Sequence, residues 1–470
     1  MRCHFGWSFV SGTALAFNTC IGGQTQGLRN TVLSAFDQLF AKGYTKGQIG
    51  SGTQVSRILP EDVLAARASP KNRDELHFDL VTSLSIKGNA LLKAKSRVRR
   101  DTSGHAFRPG IPEITRFPWN NWSRMIAKLW RNPPRSLVSY GEVSGHEPLR
   151  IAIVDYLCAL RGLVCDADQV IITSGAQQAI DLIARALLNA GDKVWIEDPG
   201  YAGIKGVLMA AGDELVPLPV DEQVLVVVVE GVRQAPGSRM AVVTPSHQYP
   251  LGAMMSLSRR LELLKWVGEN NAWILEDNYD SEYRYAGRPL SALQGLDTKG
   301  RVIYVSTFSK VMFPAVRMGY MVVPKGLAQP MIDIRRSLDD QTAIVMQPVL
   351  TEFIESGHFA QHIRRMRSLY ADRQQTLLDA IKLHLNDVLE IAPDDAGMHI
   401  VAHIRPECGL VDAKIAEQAA KHKLTLFQLS EFYLGKSDRN GLVLGYAGVE
   451  ERDIVQSVKK LAKIIAALRK

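Results

Sequence analysis

The stretch Ser306–Tyr320, STFSKVMFPAVRMGY, ends an apolar run with two hydroxyl residues and a lysine, and places an arginine seven residues further on. Val302, Ile303, Tyr304 and Val305, just ahead of it, form the continuous apolar run of a buried strand. A lysine at the rim of a packed core loses water, and desolvation lowers the proton affinity of its amine, making it a usable nucleophile. Thr307, Ser309 and Arg317 supply donors for an anion close by. An amine beside a phosphate site is what a Schiff-base cofactor requires. An ordinary surface lysine after a strand fits this stretch equally well, so the surrounding chain decides.

From Phe107 onwards helical and strand patterns alternate. PLRIAIVDYLCALRG reads as an amphipathic helix, QVIIT as a strand, AQQAIDLIARALLNAG as a helix closed by Gly191, and KVWIED as a strand. MAVVTP, AWILED, RVIYVS and MGYMVVP continue the series. Such alternation predicts an α/β fold with a mostly parallel central sheet. After about Met331 helices dominate, joined by the strands GMHIVAHI and GLVLGYA, which predicts a smaller α+β part at the C-terminus. The expected divisions are a large domain at 106–330 and a helical connection with a small domain at 331–470. Residues 58–105, carrying Lys87, Lys93, Lys95, Arg97, Arg99 and Arg100, read as a basic linker.

At 470 residues, two or three domains are expected, and the balance of 46% hydrophobic to 22% charged residues is that of a soluble globular protein. The longest apolar run, VLVVVV from Val224, is strand-sized and far too short to span a membrane. A net charge of +8 hints at a polyanionic partner. The five cysteines lack paired or metal-like spacing, which excludes a disulfide framework and points to a reducing cytoplasm. The N-terminal MRCHFGWSFVSGTALAF resembles a signal peptide only faintly, because glycines and hydroxyl residues break its apolar middle.

Ligands of open α/β sheets bind beyond the carboxyl ends of the strands, and four such ends carry chemistry. Ser174, Gly175 and Ala176 open a helix after QVIIT, where a glycine and free amide donors suit a phosphate. Tyr201 follows KVWIED on a tight PGY turn and has a ring to stack on a planar ligand. Asp277 and Tyr279 follow AWILE; the carboxylate either caps a turn or holds a pyridine nitrogen protonated. Lys310 is the fourth. Each is ordinary singly; jointly they fit pyridoxal 5′-phosphate.

Residues 107–470 resemble a fold type I (class I/II) aminotransferase domain through YGEVSGHEPLR, TSGAQQAIDLIARAL, EDPGY, TPSHQYPLG, EDNYDSEYRY and STFSK. The PSHQYP and EDNYDSEYRY versions are those of the MocR/GabR subfamily of GntR regulators, in which a winged helix is fused to an aminotransferase-like domain. Residues 29–57 resemble the recognition helix and wing of that winged helix, so 1–57 is expected to be a partial DNA-binding domain. The resemblance implies that Lys310 forms the internal aldimine, Asp277 partners the pyridine nitrogen, Tyr279 faces the phenolate and Tyr201 stacks on the ring. It places Ser174, Gly175, Ala176, Thr307, Ser309 and Arg317 at the phosphate, with Tyr140 reaching the phosphate of the partner subunit in a homodimer. Arg29, Asn30 and Thr31 are expected to face DNA.

Three departures stand out. Val443 occupies the position of the arginine that grips a substrate carboxylate. HQYP replaces the asparagine expected near the phenolate, offering His247, Gln248 and Tyr249 in its place. The 27 residues before Leu28 match nothing of a winged helix, for which either an upstream start in another frame or a decayed DNA-binding domain is expected. The sequence reading is therefore a cytoplasmic, homodimeric, pyridoxal-phosphate-dependent transcriptional regulator that senses an amine or amino acid by external aldimine formation at Lys310, without a metal. The rival reading is an aminotransferase acting with a 2-oxo acid acceptor.

Overall fold

The computed structural model describes residues 14–15, 37–48, 52–56, 84–93, 106–221, 227–285, 291–437 and 439–469. The chain divides into two units, Met1–Leu84 and Ser85–Lys470, and the division falls inside the expected linker. Arg29, Asn30 and Thr31, expected at DNA, lie outside the described residues.

In the first unit, β1 (Ala14–Leu15), β2 (Thr45–Gln48) and β3 (Gly52–Val55) form an antiparallel sheet in the order β1-β3-β2. The expected hairpin is present, with Lys46 opposite Gln54 and Gln48 opposite Gly52. Residues 37–41 are helical and stop where Gly43 takes φ +79°, a backbone conformation that only glycine adopts without strain. The Gly43 and Tyr44 amides donate to Phe40 O at 3.0 Å and Leu39 O at 2.9 Å, closing the helix end. Leu39 and Phe40 stay exposed, as expected for a helix short of packing partners.

The second unit is built on a seven-stranded sheet. Its strands are β4 (Val170–Thr173), β5 (Lys193–Asp198), β6 (Glu214–Pro219), β7 (Met240–Val243), β8 (Trp273–Asn278), β9 (Val302–Thr307) and β10 (Gly319–Val322). They run in the order β4-β10-β9-β8-β7-β5-β6, with β10 antiparallel to both neighbours and the rest parallel. Helices cover both faces, so most strands are apolar on both sides, and the sequence shows them as unbroken runs. The carboxyl ends of β4, β5, β7, β8 and β9 consequently meet at one edge. Gly319 pairs with both Thr173 and Thr307, which brings Arg317 between the β4 and β9 loops.

A second sheet, antiparallel, is formed by β11 (Leu389–Glu390), β12 (His399–Ile404), β13 (Phe427–Gln428) and β14 (Gly441–Gly445) in the order β11-β12-β14-β13. Phe107 bridges to Gly445 and Arg284 to Ala396, stitching this smaller part to the larger one. The buried Arg373–Glu113 ion pair, at 2.7 Å, reinforces the seam. Two elements differ from expectation. The VLVVVV run, expected as a strand, ends inside the helix Val227–Gln234: packing overrides the strand preference of β-branched residues. Ile86–Lys93, within the expected linker, is a helix beside the helix Ala202–Ala211.

Candidate active site

Beyond the shared strand edge lies a cavity lined by Gly175, Ala176, Tyr201, Asp277, Tyr279, Thr307, Ser309, Lys310 and Arg317 among others. Nine residues expected at the site from sequence thus meet in one place. The cavity holds about 210 Å³, several times the roughly 30 Å³ of one water, so it takes an organic ligand.

Lys310 Nζ donates to Gly110 O at 2.8 Å. Burial pulls its proton affinity down, Arg108 and Arg317 pull it further, and Asp280 and Asp277 only partly oppose this. The amine is therefore held nearer its neutral, nucleophilic form. Asp277 shows the opposite effect of the same burial: its carboxyl is pushed up to about 7, with Glu197 and Asp280 adding like charge. Glu197 behind it is also raised by burial to about 7, and accepts from Thr244 N, at 2.9 Å, and from Gln248 Nε2, at 3.2 Å.

At the other wall Gly175 has φ +112°, and a Cβ there would stand 3.5 Å from Arg317 Nη2. Arg317 itself sits in the left-handed region at φ +46°, which turns it back toward that glycine. Ser309 N donates to Thr307 Oγ1 at 3.2 Å, folding the β9 loop around the same space.

Four expected residues lie elsewhere. Gln248 is fully buried behind the lining, where its amide donates to Glu197 and to Pro199 O at 2.9 Å. His247 also sits outside the lining, packed against the back of Tyr279 with its Nδ1 2.9 Å from the phenol oxygen. Both are corrections to a cofactor-binding assignment: the turn at Tyr249–Pro250 points them inward and presents Tyr249 to the cavity. Ser174 is not in the lining; its amide donates to Gln178 Oε1 at 2.6 Å. Tyr140 is 88% exposed and not in the lining. Sequence reasoning missed Pro109, Gly110, Ile111, Gln177, Thr244 and Pro314 in the lining, whereas Tyr249, offered beside His247 and Gln248, is there. The Gly and Pro of FRPGIP were a visible sign of a close backbone approach. Among the described residues no cluster of ligating side chains suits a metal ion.

The lining fits pyridoxal 5′-phosphate on observations independent of any likeness. Asp277 Oδ1 and Ser309 Oγ are buried without a hydrogen-bond partner, and buried polar atoms are rarely left so unless a ligand completes them. A ring N–H would satisfy the first and a phosphate oxygen can accept from the second, beside a guanidinium and a glycine-opened helix start. Fold and cavity together define a pyridoxal-phosphate-dependent protein of the fold type I transferase class.

Residues 120–461 match the family model "Aminotransferase class I and II". The chain is 40% identical over 440 residues to the probable rhizopine catabolism regulatory protein MocR of Rhizobium meliloti, covering 94% of this chain and 87% of that one. It is 32% identical to the HTH-type transcriptional regulator YhdI of Bacillus subtilis, covering 93% and 88%. Among solved structures, the kynurenine aminotransferase of Pyrococcus horikoshii superposes with a TM-score of 0.72 at 26% identity, over 85% of this chain and 99% of that one. The chain belongs to the class I and II aminotransferase family, in its branch of MocR-type HTH regulators.

Proposed function

We propose that this protein is a pyridoxal-phosphate-dependent transcriptional regulator, acting in the cytoplasm as a homodimer on DNA, whose aminotransferase-like unit senses a small amine or amino acid at Lys310. The observation that carries the reading is the conjunction of a buried Lys310, its proton affinity lowered by that burial, with a partnerless Asp277 oxygen, in a chain aligned over 94% of its length with a regulator.

Each side chain has a task. Arg317, Thr307, Ser309 and the Gly175–Ala176 amides hold the phosphate, and Tyr201 covers one face of the ring. Asp277 binds the ring N–H. Pyridoxal 5′-phosphate supplies an aldehyde that amines capture and an electron-withdrawing ring. Lys310, its proton affinity lowered by burial, would supply the amine that holds the aldehyde, and Gly110 O is within reach of its Nζ when that amine is free. A ligand shifts a conformational equilibrium only through unequal affinity for the two states, and exchange of the Lys310 bond is such an inequality. Tyr140 would reach the partner's site across the dimer. The β2–β3 hairpin with exposed Lys46 is the wing of the DNA-binding unit, joined by Arg29, Asn30 and Thr31.

The test is binding of the cofactor-loaded protein to its own upstream DNA and to an unrelated duplex at two salt concentrations. Preference for its own region supports the regulator; equal, steeply salt-dependent binding to both reflects only the +8 charge. Multiple turnover with a 2-oxo acid, with no DNA preference, would replace this reading with the aminotransferase.

A further inference from the structure

His247 stands at a junction of both parts of the second unit. Its Nδ1 lies 3.1 Å from both carboxylate oxygens of Asp280 and 2.9 Å from the Tyr279 hydroxyl. Its Nε2 lies 3.1 Å from Asp394 Oδ2, which belongs to the loop between β11 and β12 of the smaller part. The side chains of His247 and Asp280 are each 1% exposed, so water competes for neither.

An ionised carboxylate only accepts hydrogen bonds, so a ring with a carboxylate at each nitrogen carries a proton on both. Burial alone would drive that charge off; Asp280 and Asp394 outweigh it and hold His247 protonated well above its ordinary range. His399, 5.7 Å away on β12, is instead pushed down to about 4 by burial and by the His247 charge, and stays neutral. Tyr249, on the same side, keeps its phenolic proton, because burial raises its proton affinity above the ordinary range. With both ring nitrogens donating, His247 has no lone pair for the Tyr279 proton. Burial and the charge of Asp280 keep Tyr279 a phenol. Its O–H is left to point where the oxygen itself faces, into the cavity beside Lys310.

We propose that His247 is a positioning residue that turns the Tyr279 hydroxyl proton into the cofactor cavity and ties that orientation, through Asp394, to the seating of the small-part loop 394–397. The packing at this junction has no slack. A Cβ at Gly397 would overlap the His247 ring, and one at Gly252 would overlap Asp394 Oδ2. Moving the loop therefore removes the Nε2 acceptor and frees the ring to turn, so that the Nδ1–H no longer fixes the direction of the Tyr279 hydroxyl. Occupancy of the cavity and position of the smaller part become one linked equilibrium, in which each biases the other.

This inference rests on the cofactor reading above, and the experiment separates the two. The full chain loaded with pyridoxal 5′-phosphate is titrated with pH while the visible absorbance of the bound cofactor is followed in wild type, His247→Asn, Tyr279→Phe, the double variant and Asp394→Asn. Loss of a donor to the ring oxygen makes that oxygen hold a proton more tightly. His247→Asn and Tyr279→Phe should each raise the midpoint by about one pH unit, about tenfold in proton affinity. The double variant should add nothing, because both remove the same hydrogen bond. Asp394→Asn, on a partly exposed loop and the variant safest for folding, should move the midpoint the same way by less. A His247 variant at the wild-type midpoint while Tyr279→Phe shifts, or additive shifts in the double variant, overturns the orientation. An unmoved Asp394→Asn overturns the link to the small part. A wild-type protein without a visible band that Lys310→Ala removes overturns this inference and the cofactor reading together.

Discussion

The two ends of the cavity are built on different principles. At one, Gly175, Thr307, Ser309 and Arg317 surround a space for an anion, and Asp277 Oδ1 and Ser309 Oγ stand without a partner near Lys310. Behind the other, Val443, which the family resemblance places where an arginine would grip a substrate carboxylate, lies outside the lining, fully buried between Val401 and Phe427 in the cluster against which the lining residue Tyr249 packs. The nearby charges there are Asp280, Asp394 and the His247 they enclose. One end is made to hold a fixed group and the other lacks the clamp that sorts amino-acid substrates.

The largest effect expected at the anchored end is that of Lys310→Ala: complete loss of the visible absorbance of the bound cofactor. A retained band would place the amine elsewhere and break the contrast at its root. Asp277→Asn comes next. It exchanges a charged partner of the ring nitrogen for a neutral one, a loss of about 10- to 100-fold in cofactor affinity by equilibrium dialysis, since a hydrogen bond to a charged group is worth about 1.5–3 kcal/mol.

The same carboxylate leaves a mark on the cofactor-free protein. Asp277 is raised from 3.8 to about 7 and Glu197 from 4.5 to about 7, so between those values the folded chain binds more protons than the unfolded one. Stability must then fall as pH rises from about 4 to 7, by up to about 1.4 kcal/mol per pH unit for each group. Thermal unfolding of the cofactor-free protein across that range should show the decline, and Asp277→Asn should flatten it. An unchanged slope would mean that the groups are not desolvated. His247 runs in a separate window: its contribution is complete below its ordinary value near 6.5 and fades only as pH rises through its elevated folded value.

Arg317→Lys is smaller, about tenfold in cofactor affinity, because one ammonium replaces a planar fork that can bind two phosphate oxygens at once.

Legibility in the sequence followed the same division. The strands of the parallel sheet, buried on both faces, announce themselves as apolar runs, and the residues at their ends are single-site signals, so nine site residues were readable in advance. The strand Glu214–Pro219 was missed because Pro217 and Pro219 argue against a strand; it lies at the sheet edge, where a missing donor is tolerated. Gly110 and Asp394 were missed for another reason: they reach Lys310 and His247 across 200 and 147 residues, and such pairings have no local trace. His247 and Gln248 were placed in the right loop and on the wrong side of it, because backbone direction in an irregular turn does not follow from residue type.

The smallest expected effect tests the unclamped end. A bidentate guanidinium–carboxylate pair would separate an amino acid from the amine lacking its carboxylate by more than about tenfold. With Val443 in that place, matched pairs of ligands should perturb the bound cofactor's spectrum with affinities within about tenfold of each other. Arg108 is the cation to watch, since it precedes the lining segment Pro109–Ile111 and its charge is felt at Lys310. A preference beyond tenfold that Arg108→Ala abolishes would move the clamp to Arg108. A preference that survives in that variant would show that the second end recognises carboxylates by some means other than a cation at either position, and the contrast between the two ends would fail.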